Sequence, residues 1–543
     1  MAYPSFEQYN QAFQAHACLL TDPELKNGVV ATTGLGLPLA ISGGFALTYT
    51  IKSGPKKYAV KCFHRESKAL EKRYVAISQR LAQLSSPYFI DFQFQPQGIR
   101  VGGIAYPIVK MAWAQGETIG EFFEGNHKDK VVLSSLASSL AAMGACLERE
   151  RIAHGDLQTG NLMVSGKGRS LQLIDYDGMY VDDIKGLGSS ELGQLNFQHP
   201  QRKVGNPFDA TLDRFSLIAI SLALKALQED VSMWKKSKSD LDAFVFRAND
   251  FVDPASSQVF ATLMAIPALA QDTKNFAAIC KSPFEKIPSL ADFIARRNIP
   301  LVSIEIRGKL AAGQTKQGYL GAYSVLAANN YEACFRRVGD KVEVIGCIVE
   351  VSEKRAKNGK PYVFINFGGW RGNIFKISIW SEGLAVVTKK PDQSWVGKWI
   401  SVVGLMEPPY ISSKYSYSHL SINVVANGQI SIISKIESKW RLTGQSTQPK
   451  TFSPSNQETL ERIKGGVTSH NSTSVNNKFA STGHPLVSSN QDLLNKIRAT
   501  RSTSSSQSRP TLSKPSTKTG GSYPQQKPIE KSVIEKILNW LFK

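Results

Sequence analysis

Residues 153–178 read AHGDLQTGNLMVSGKGRSLQLIDYDG. Asp156 is followed five residues later by Asn161, then by a short apolar strand, a turn, and a second apolar run at 171–174 that ends on Asp175. The pattern predicts strand, turn, strand. Such a hairpin brings Asn161 and Asp175 to one locus as hard oxygen ligands, the kind Mg²⁺ takes when phosphate oxygens complete its shell. Asp156, in the loop before the hairpin, is left to orient an acceptor hydroxyl. Taken one at a time, each residue has a plainer account: a helix-capping aspartate and a turn asparagine in an unrelated α/β protein.

The chain upstream weighs against that account. From Gly36 the pattern is β: LPLAISGGFALTYTI, a turn at 52–57, then YAVKCF. Gly43 and Gly44 fall in the hairpin turn, where missing side chains let backbone N–H groups approach phosphate oxygens, although most Gly-Gly pairs simply make turns. In YAVK, Lys61 follows the apolar residues 58–60 and is expected to point a buried ammonium at phosphates, with Ala59 beside it lining the nucleotide site. A surface lysine at a strand end is the common alternative. The helix expected over 67–84 should supply the carboxylate that holds Lys61, with Glu71 the candidate and Glu66 the alternative. Strands at 89–94 and 100–111 are expected to close the sheet. Residues 131–148, rich in alanine and leucine, predict an amphipathic helix through Leu133, Leu136, Leu140 and Met143 that leads into the loop of Asp156.

These motifs resemble the protein-kinase-like superfamily, bacterial members included. HGDLQTGN stands where its catalytic loop reads H-R-D-x-x-x-x-N, DYD where its metal loop reads D-F-G, SGGFA where its glycine-rich loop lies, and YAVK where it carries V-A-I-K. The resemblance implies a bilobal α+β domain over 1–298, with a small lobe over about 1–112 and a large lobe over about 113–298. It implies ATP in the cleft, with its adenine against a hinge at 110–113, and Mg²⁺ as cofactors. Gly43, Gly44 and Ala59 would surround the nucleotide, Lys61 would hold its phosphates with Glu71 steadying the lysine, Asn161 and Asp175 would bind Mg²⁺, and Asp156 would act on the acceptor. Asp213, opening the run DRFSLIAISLALKAL, matches the aspartate that braces the catalytic-loop backbone. The activity implied is a protein kinase acting on serine or threonine hydroxyls.

Three positions depart from the family pattern: Gly155 replaces an arginine, Gln158 a lysine, and Asp177 the glycine of the metal loop. HGDL with a following GN also resembles aminoglycoside and choline kinases, small-molecule phosphotransferases that share the ATP site. The segment ending NFQHP and Asp213 weigh against them. His199 in that segment is expected to be structural. A pseudokinase scaffold is a third reading, disfavoured because Lys61, Asp156, Asn161 and Asp175 are all retained.

At 543 residues the chain is too long for one ordinary domain. Its 65 basic and 44 acidic side chains leave +21, which favours anionic partners. From Thr443 onward 14 Lys/Arg face 5 Asp/Glu, so +9 of that charge lies in the last fifth. Six scattered cysteines without a C-x-x-C pair point to a reducing cytoplasm. No signal-peptide pattern opens the chain, and no transmembrane segment is expected.

Residues 299–335 read as a mixed connector. Over 336–440 the texture changes to KVEVIGCIVEV, PYVFINFGG, FKISIW, WISVVGLMEPPY and HLSINVV: five strands, with Gly346 and Gly404 marking bends. This resembles the OB-fold family of small all-β, nucleic-acid-binding barrels. Trp370, Arg371, Phe375 and Trp380, with Lys354, Arg355 and Lys357, are either a face for single-stranded nucleic acid or, in equal measure, barrel filling and a solvated turn. Residues 441–528, Ser/Thr-rich and poor in large apolar side chains, are expected to be disordered and to serve as the kinase's own protein substrate. Residues 529–543 recover a helical period and are expected to dock on a protein partner.

Overall fold

The computed structural model describes residues 3–445 apart from 33–37, 39, 43–45, 65–67, 310–316, 356–358, 370, 388, 413–416 and 425–427. All described residues belong to one compact unit. Gly43, Gly44, Glu66, Lys357, Trp370, nearly all of the Ser/Thr-rich tail and the helix expected over 529–543 lie outside them.

The fold is α+β. Its first part is an antiparallel sheet of β1 (Val29–Val30), β2 (Ala40–Ser42), β3 (Ala46–Ser53), β4 (Lys56–Phe63), β5 (Phe92–Val101) and β6 (Ile104–Ala112), in the order β1-β3-β4-β6-β5 with β2 on β3. Side chains alternate across a strand, and in β4 this sends Tyr58, Val60 and Cys62 to one face, leaving Ala59 and Lys61 on the other. The first face is covered by the N-terminal residues, which do more than embellish: Tyr9 and Phe13 of the helix Phe6–Gln14 are fully buried there, and Phe13 stacks on Tyr49 at 3.7 Å. As TDPE suggests, Asp22 caps the short helix Pro23–Lys26 through Leu25 N at 3.0 Å. Against the second face lies the helix Lys68–Ala82, which packs Tyr74 and Ile77 into the main core.

The chain then becomes helical. Lys130–Glu150 is long and apolar enough, by length and composition alone, to cross a membrane. Its Leu133, Leu136, Leu140, Met143 and Leu147 are instead buried in the main core against the helix Arg214–Glu229. It ends at Arg151 in a left-handed conformation, releasing the chain into the loop of Asp156. The expected hairpin is present: β8 (Leu162–Ser165) pairs with β9 (Ser170–Leu173), with β7 (Glu117–Thr118) beside β8. One hydrophobic core runs from Phe63, Tyr74 and Phe92 on the sheet side to Phe276 and Phe293 among the helices.

The five C-terminal segments expected as strands are strands, but not as one closed barrel. β10 (Ser324–Ala327), β11 (Lys341–Cys347), β15 (Trp399–Leu405) and β18 (Ile430–Ile433) form one sheet in that order. β12 (Glu350–Arg355), β13 (Pro361–Asn366), β14 (Asn373–Ile379), β17 (Tyr417–Asn423) and β16 (Glu407–Ser412) form another. The run KVEVIGCIVEV is divided at Ile348 and Val349, whose amides bond Lys398 O and Asn366 O on different sheets. The connector also contributes structure: β10 lies parallel to β11. Gly346 and Gly404 sit where neighbours leave no space, since a Cβ on either would lie 2.4 Å from Phe367 or Ile422.

Candidate active site

The loop 153–161 is braced from below. The Asp213 carboxylate accepts from His154 N at 2.5 Å and Gly155 N at 2.9 Å and does not cap its own helix. Burial pushes its pKa up, against the pull of His154, these amides and Arg202. His199, whose ring bonds Ile279 O at 3.0 Å and receives Gln201 N, is buried among Phe215 and Phe284 and takes no part in the site.

Gly155 has a positive φ of 80°, and a Cβ there would lie 2.3 Å from Gly178 O. The two loops thus meet backbone to backbone, with Tyr180 N donating to Ala153 O at 2.8 Å just below. Glycine at this position is a packing requirement. Gly155→Ala is expected to cost roughly 2–5 kcal/mol, combining backbone strain with overpacking, as a fall in the denaturation midpoint.

The structure brings Lys61, Asp156, Asn161 and Asp175 together. Lys61 Nζ lies 2.5 and 2.6 Å from the two oxygens of Asp177 and 3.3 Å from Asp175 Oδ1. Burial, the largest influence, presses this ammonium's pKa down, but the fields of Asp177, Tyr74 and Asp175 outweigh it and hold it well above the ordinary lysine value. Glu71 is not brought to Lys61. It accepts from Tyr3 Oη at 2.5 Å, and Tyr74, three residues on, faces the site and donates its hydroxyl to Asp177. Ala59 shares Lys61's face of β4, whereas Lys110 of the expected hinge turns to Asp22 and Glu24, at 2.9 and 2.6 Å.

Asp175 holds a left-handed backbone, φ 64° and ψ 78°. Its neighbour is fixed on both sides, because Ile174 O accepts from the His154 ring at 2.8 Å and Ile174 N donates to Asn161 O at 3.0 Å. A strained non-glycine backbone persists where surrounding bonds over-determine it. The charge of Asp177 beside it raises the Asp175 pKa, although the Asp175 side chain is half exposed. Asp156 accepts three hydrogen bonds, Oδ1 from Gln194 N at 2.7 Å and Oδ2 from Gln158 Nε2 at 2.7 Å and Asn161 Nδ2 at 3.1 Å, which leaves a lone pair on Oδ1.

Sequence reasoning does not single out Tyr74, Glu191 or Gln194, which fold in from other elements, and it marks Asp177 only as a departure. Glu191 reaches over Gly178 from an exposed position, and the neighbouring Asp156, Asp177 and Asp175 carboxylates push its pKa above the carboxylate range. Asp175 and Asp177 contact Lys61, and Glu191 lies within electrostatic reach of both and of Asp156. Among the described residues no three Asp, Glu, His or Cys side chains converge as a self-contained metal site. That set fits a cation held chiefly by phosphate and water with one or two protein oxygens, the Mg²⁺ habit. With Asn161 Nδ2 committed to Asp156, its Oδ1 is the atom left for such a cation.

No family model matches the chain, and no curated protein matches it. Among solved structures, the PK-1 kinase of Cydia pomonella granulovirus aligns with 37% of this chain and 71% of its own, at 14% identity and a TM-score of 0.29.

Proposed function

We propose that this chain is a protein-kinase-like phosphotransferase that moves the γ-phosphate of ATP to a serine or threonine hydroxyl. One observation carries the reading: the ammonium of Lys61, from the sheet, meets the carboxylates of Asp175 and Asp177 beside Asp156 and Asn161, from the helical part. Lys61 would hold phosphate oxygens, and Asn161 Oδ1 and Asp175 would hold Mg²⁺. Bound Mg-ATP supplies the phosphoryl group and the charge neutralisation that loose phosphoryl transfer relies on. Asp156 orients the acceptor hydroxyl and takes its proton. Oδ1 accepts from Gln194 N, and its second lone pair is the one that takes the hydroxyl's proton.

The test is incubation of the pure chain with labelled ATP and Mg²⁺, with and without a generic protein acceptor. Phosphate is expected on serine and threonine, including residues 443–527, because covalent attachment raises local concentration to about millimolar. Label found only on an added aminoglycoside or amino alcohol would assign the site to a small-molecule phosphotransferase instead.

The C-terminal sheets support a partner reading: an OB-like module for single-stranded nucleic acid. Phe375 is core, but Trp380 is 40% exposed and groups with Tyr362 at 5.1 Å and Phe364 at 5.9 Å. Lys376 Nζ sits 4.0 Å from the Phe364 ring, and Lys354 lies opposite Tyr362 in the strand register. Stacking rings flanked by cations are what a single strand needs. Two phosphate contacts, Lys354 and Lys376, predict a log-log salt slope near about −1.4 for an oligonucleotide titrated with the whole chain. Trp380→Ala should weaken binding by roughly 1–3 kcal/mol with the melting temperature nearly unchanged. Salt-independent or absent binding would leave the sheets without a nucleic-acid role.

A further inference from the structure

We infer that the C-terminal β-structure is part of the catalytic apparatus, with Tyr323 a positioning residue for Asp156. This rests on the phosphotransfer reading above. The observation is a directed chain of hydrogen bonds that begins on β11 and ends on the carboxylate of Asp156.

Lys341 of β11 donates to Asp242 Oδ1 at 2.8 Å, with its ammonium 4.6 Å from the centre of the Tyr323 ring. Tyr323 Oη donates to the same oxygen at 2.6 Å. With its proton so committed, the hydroxyl faces Gln194 as an acceptor, and Gln194 Nε2 lies 3.3 Å away. The same Nε2 donates to Gln158 Oε1 at 2.8 Å, and Gln158 Nε2 donates to Asp156 Oδ2 at 2.7 Å. Turning over the Gln194 amide would set its oxygen against Gln158 Oε1 and against a hydroxyl whose proton points elsewhere. The orientation of each amide is therefore dictated from the β11 side.

Gln194 shows the strength of that dictation. Its Oε1 is buried without a hydrogen-bond partner, a state that is costly for an amide oxygen and persists only where other bonds compel it. The segment bearing Tyr323 is also clamped, since Asn249 donates to Gly318 O and accepts from Leu320 N, both at 2.9 Å, while Trp440 Nε1 donates to Gln317 O at 2.7 Å. A shift of β11 against the helical part would loosen Asp242 and Tyr323 together. Gln158 would then be free to turn, and Asp156 would lose the N–H that aims its Oδ2.

The test compares the full-length chain with Tyr323→Phe, Gln194→Ala and the double variant. Lys238→Ala is the control, since it breaks another contact between the same parts, Lys238 to Glu437 at 3.1 Å. Readouts are kcat, the KM for ATP and the melting temperature. Tyr323→Phe and Gln194→Ala are each expected to lower kcat about three- to tenfold, the effect of one lost hydrogen bond, with the KM for ATP unchanged. The double variant should be no slower than the slower single, since both changes break one chain, and Lys238→Ala should keep the full kcat. Independent, multiplying losses, a full kcat in Tyr323→Phe, or an equal loss in Lys238→Ala each overturns the inference while leaving phosphotransfer standing. No transfer by the wild-type chain overturns the phosphotransfer reading and takes this inference with it.

Discussion

Asp156→Ala is expected to lower the rate of phosphoryl transfer by about 10²–10⁴ while leaving ATP affinity close to that of the wild type, the mark of a group that acts on the acceptor in the transition state. None of the hydrogen bonds Asp156 makes is to Lys61; its carboxylate is 7% exposed and is bonded to Gln194 N, Gln158 and Asn161. Removing it leaves a buried N–H without its acceptor at a cost of about 1–3 kcal/mol, so the melting curve has to be read beside the rate. Asp156→Asn can still accept from Gln194 N through its Oδ1, but its Nδ2 then faces the donor amides of Gln158 and Asn161, so its rate should fall nearly as far with a stability loss of similar size. A wild-type rate in either variant would remove Asp156 from the reaction.

Asp177→Ala is expected to be the most damaging change on the ATP side of the cleft, and Glu71→Ala close to silent. Lys61 has a side chain only 13% exposed, with both oxygens of Asp177 on its ammonium. Breaking a buried pair from one side costs about 3–5 kcal/mol because the remaining charge is left uncompensated. Asp175, at 3.3 Å, moderates this without replacing it, so a loss of roughly 2–4 kcal/mol is expected in the denaturation midpoint, with weaker Mg-ATP binding as Lys61 swings free. Glu71→Ala removes one bond to the Tyr3 hydroxyl, worth about 0.5–1.5 kcal/mol, and nothing that touches Lys61. The reverse ranking, measured as ATP dissociation constants and melting temperatures, would restore the helix 68–82 as the source of the lysine's partner.

The local half of the site is legible in the order of residues. Asp156, Asn161 and Asp175 lie within one loop and one hairpin, and a hairpin's geometry follows from the spacing of its apolar runs, so the approach of these side chains can be read from the residues themselves. The same holds for Lys61 and Ala59 on one face of β4, for the apolar stripe of the helix 130–150, and for the strand segments beyond residue 340. Tertiary packing settles every contact in which two distant stretches compete for one partner. Periodicity places Glu71 and Tyr74 on the same helix but does not say which of them faces Lys61. Tyr3, from the far end of the chain, settles it by taking Glu71, while Asp177 fills the position opposite the lysine. Gly155 reads along the chain as a lost arginine, and only folding lays Gly178 against it. The link from Lys341 through Tyr323 to Asp156 joins residues more than a hundred positions apart through side-chain orientations. A hydrogen bond selects its partner by distance and direction within a few ångströms, and no pattern of residue types along the chain encodes those before the chain has folded.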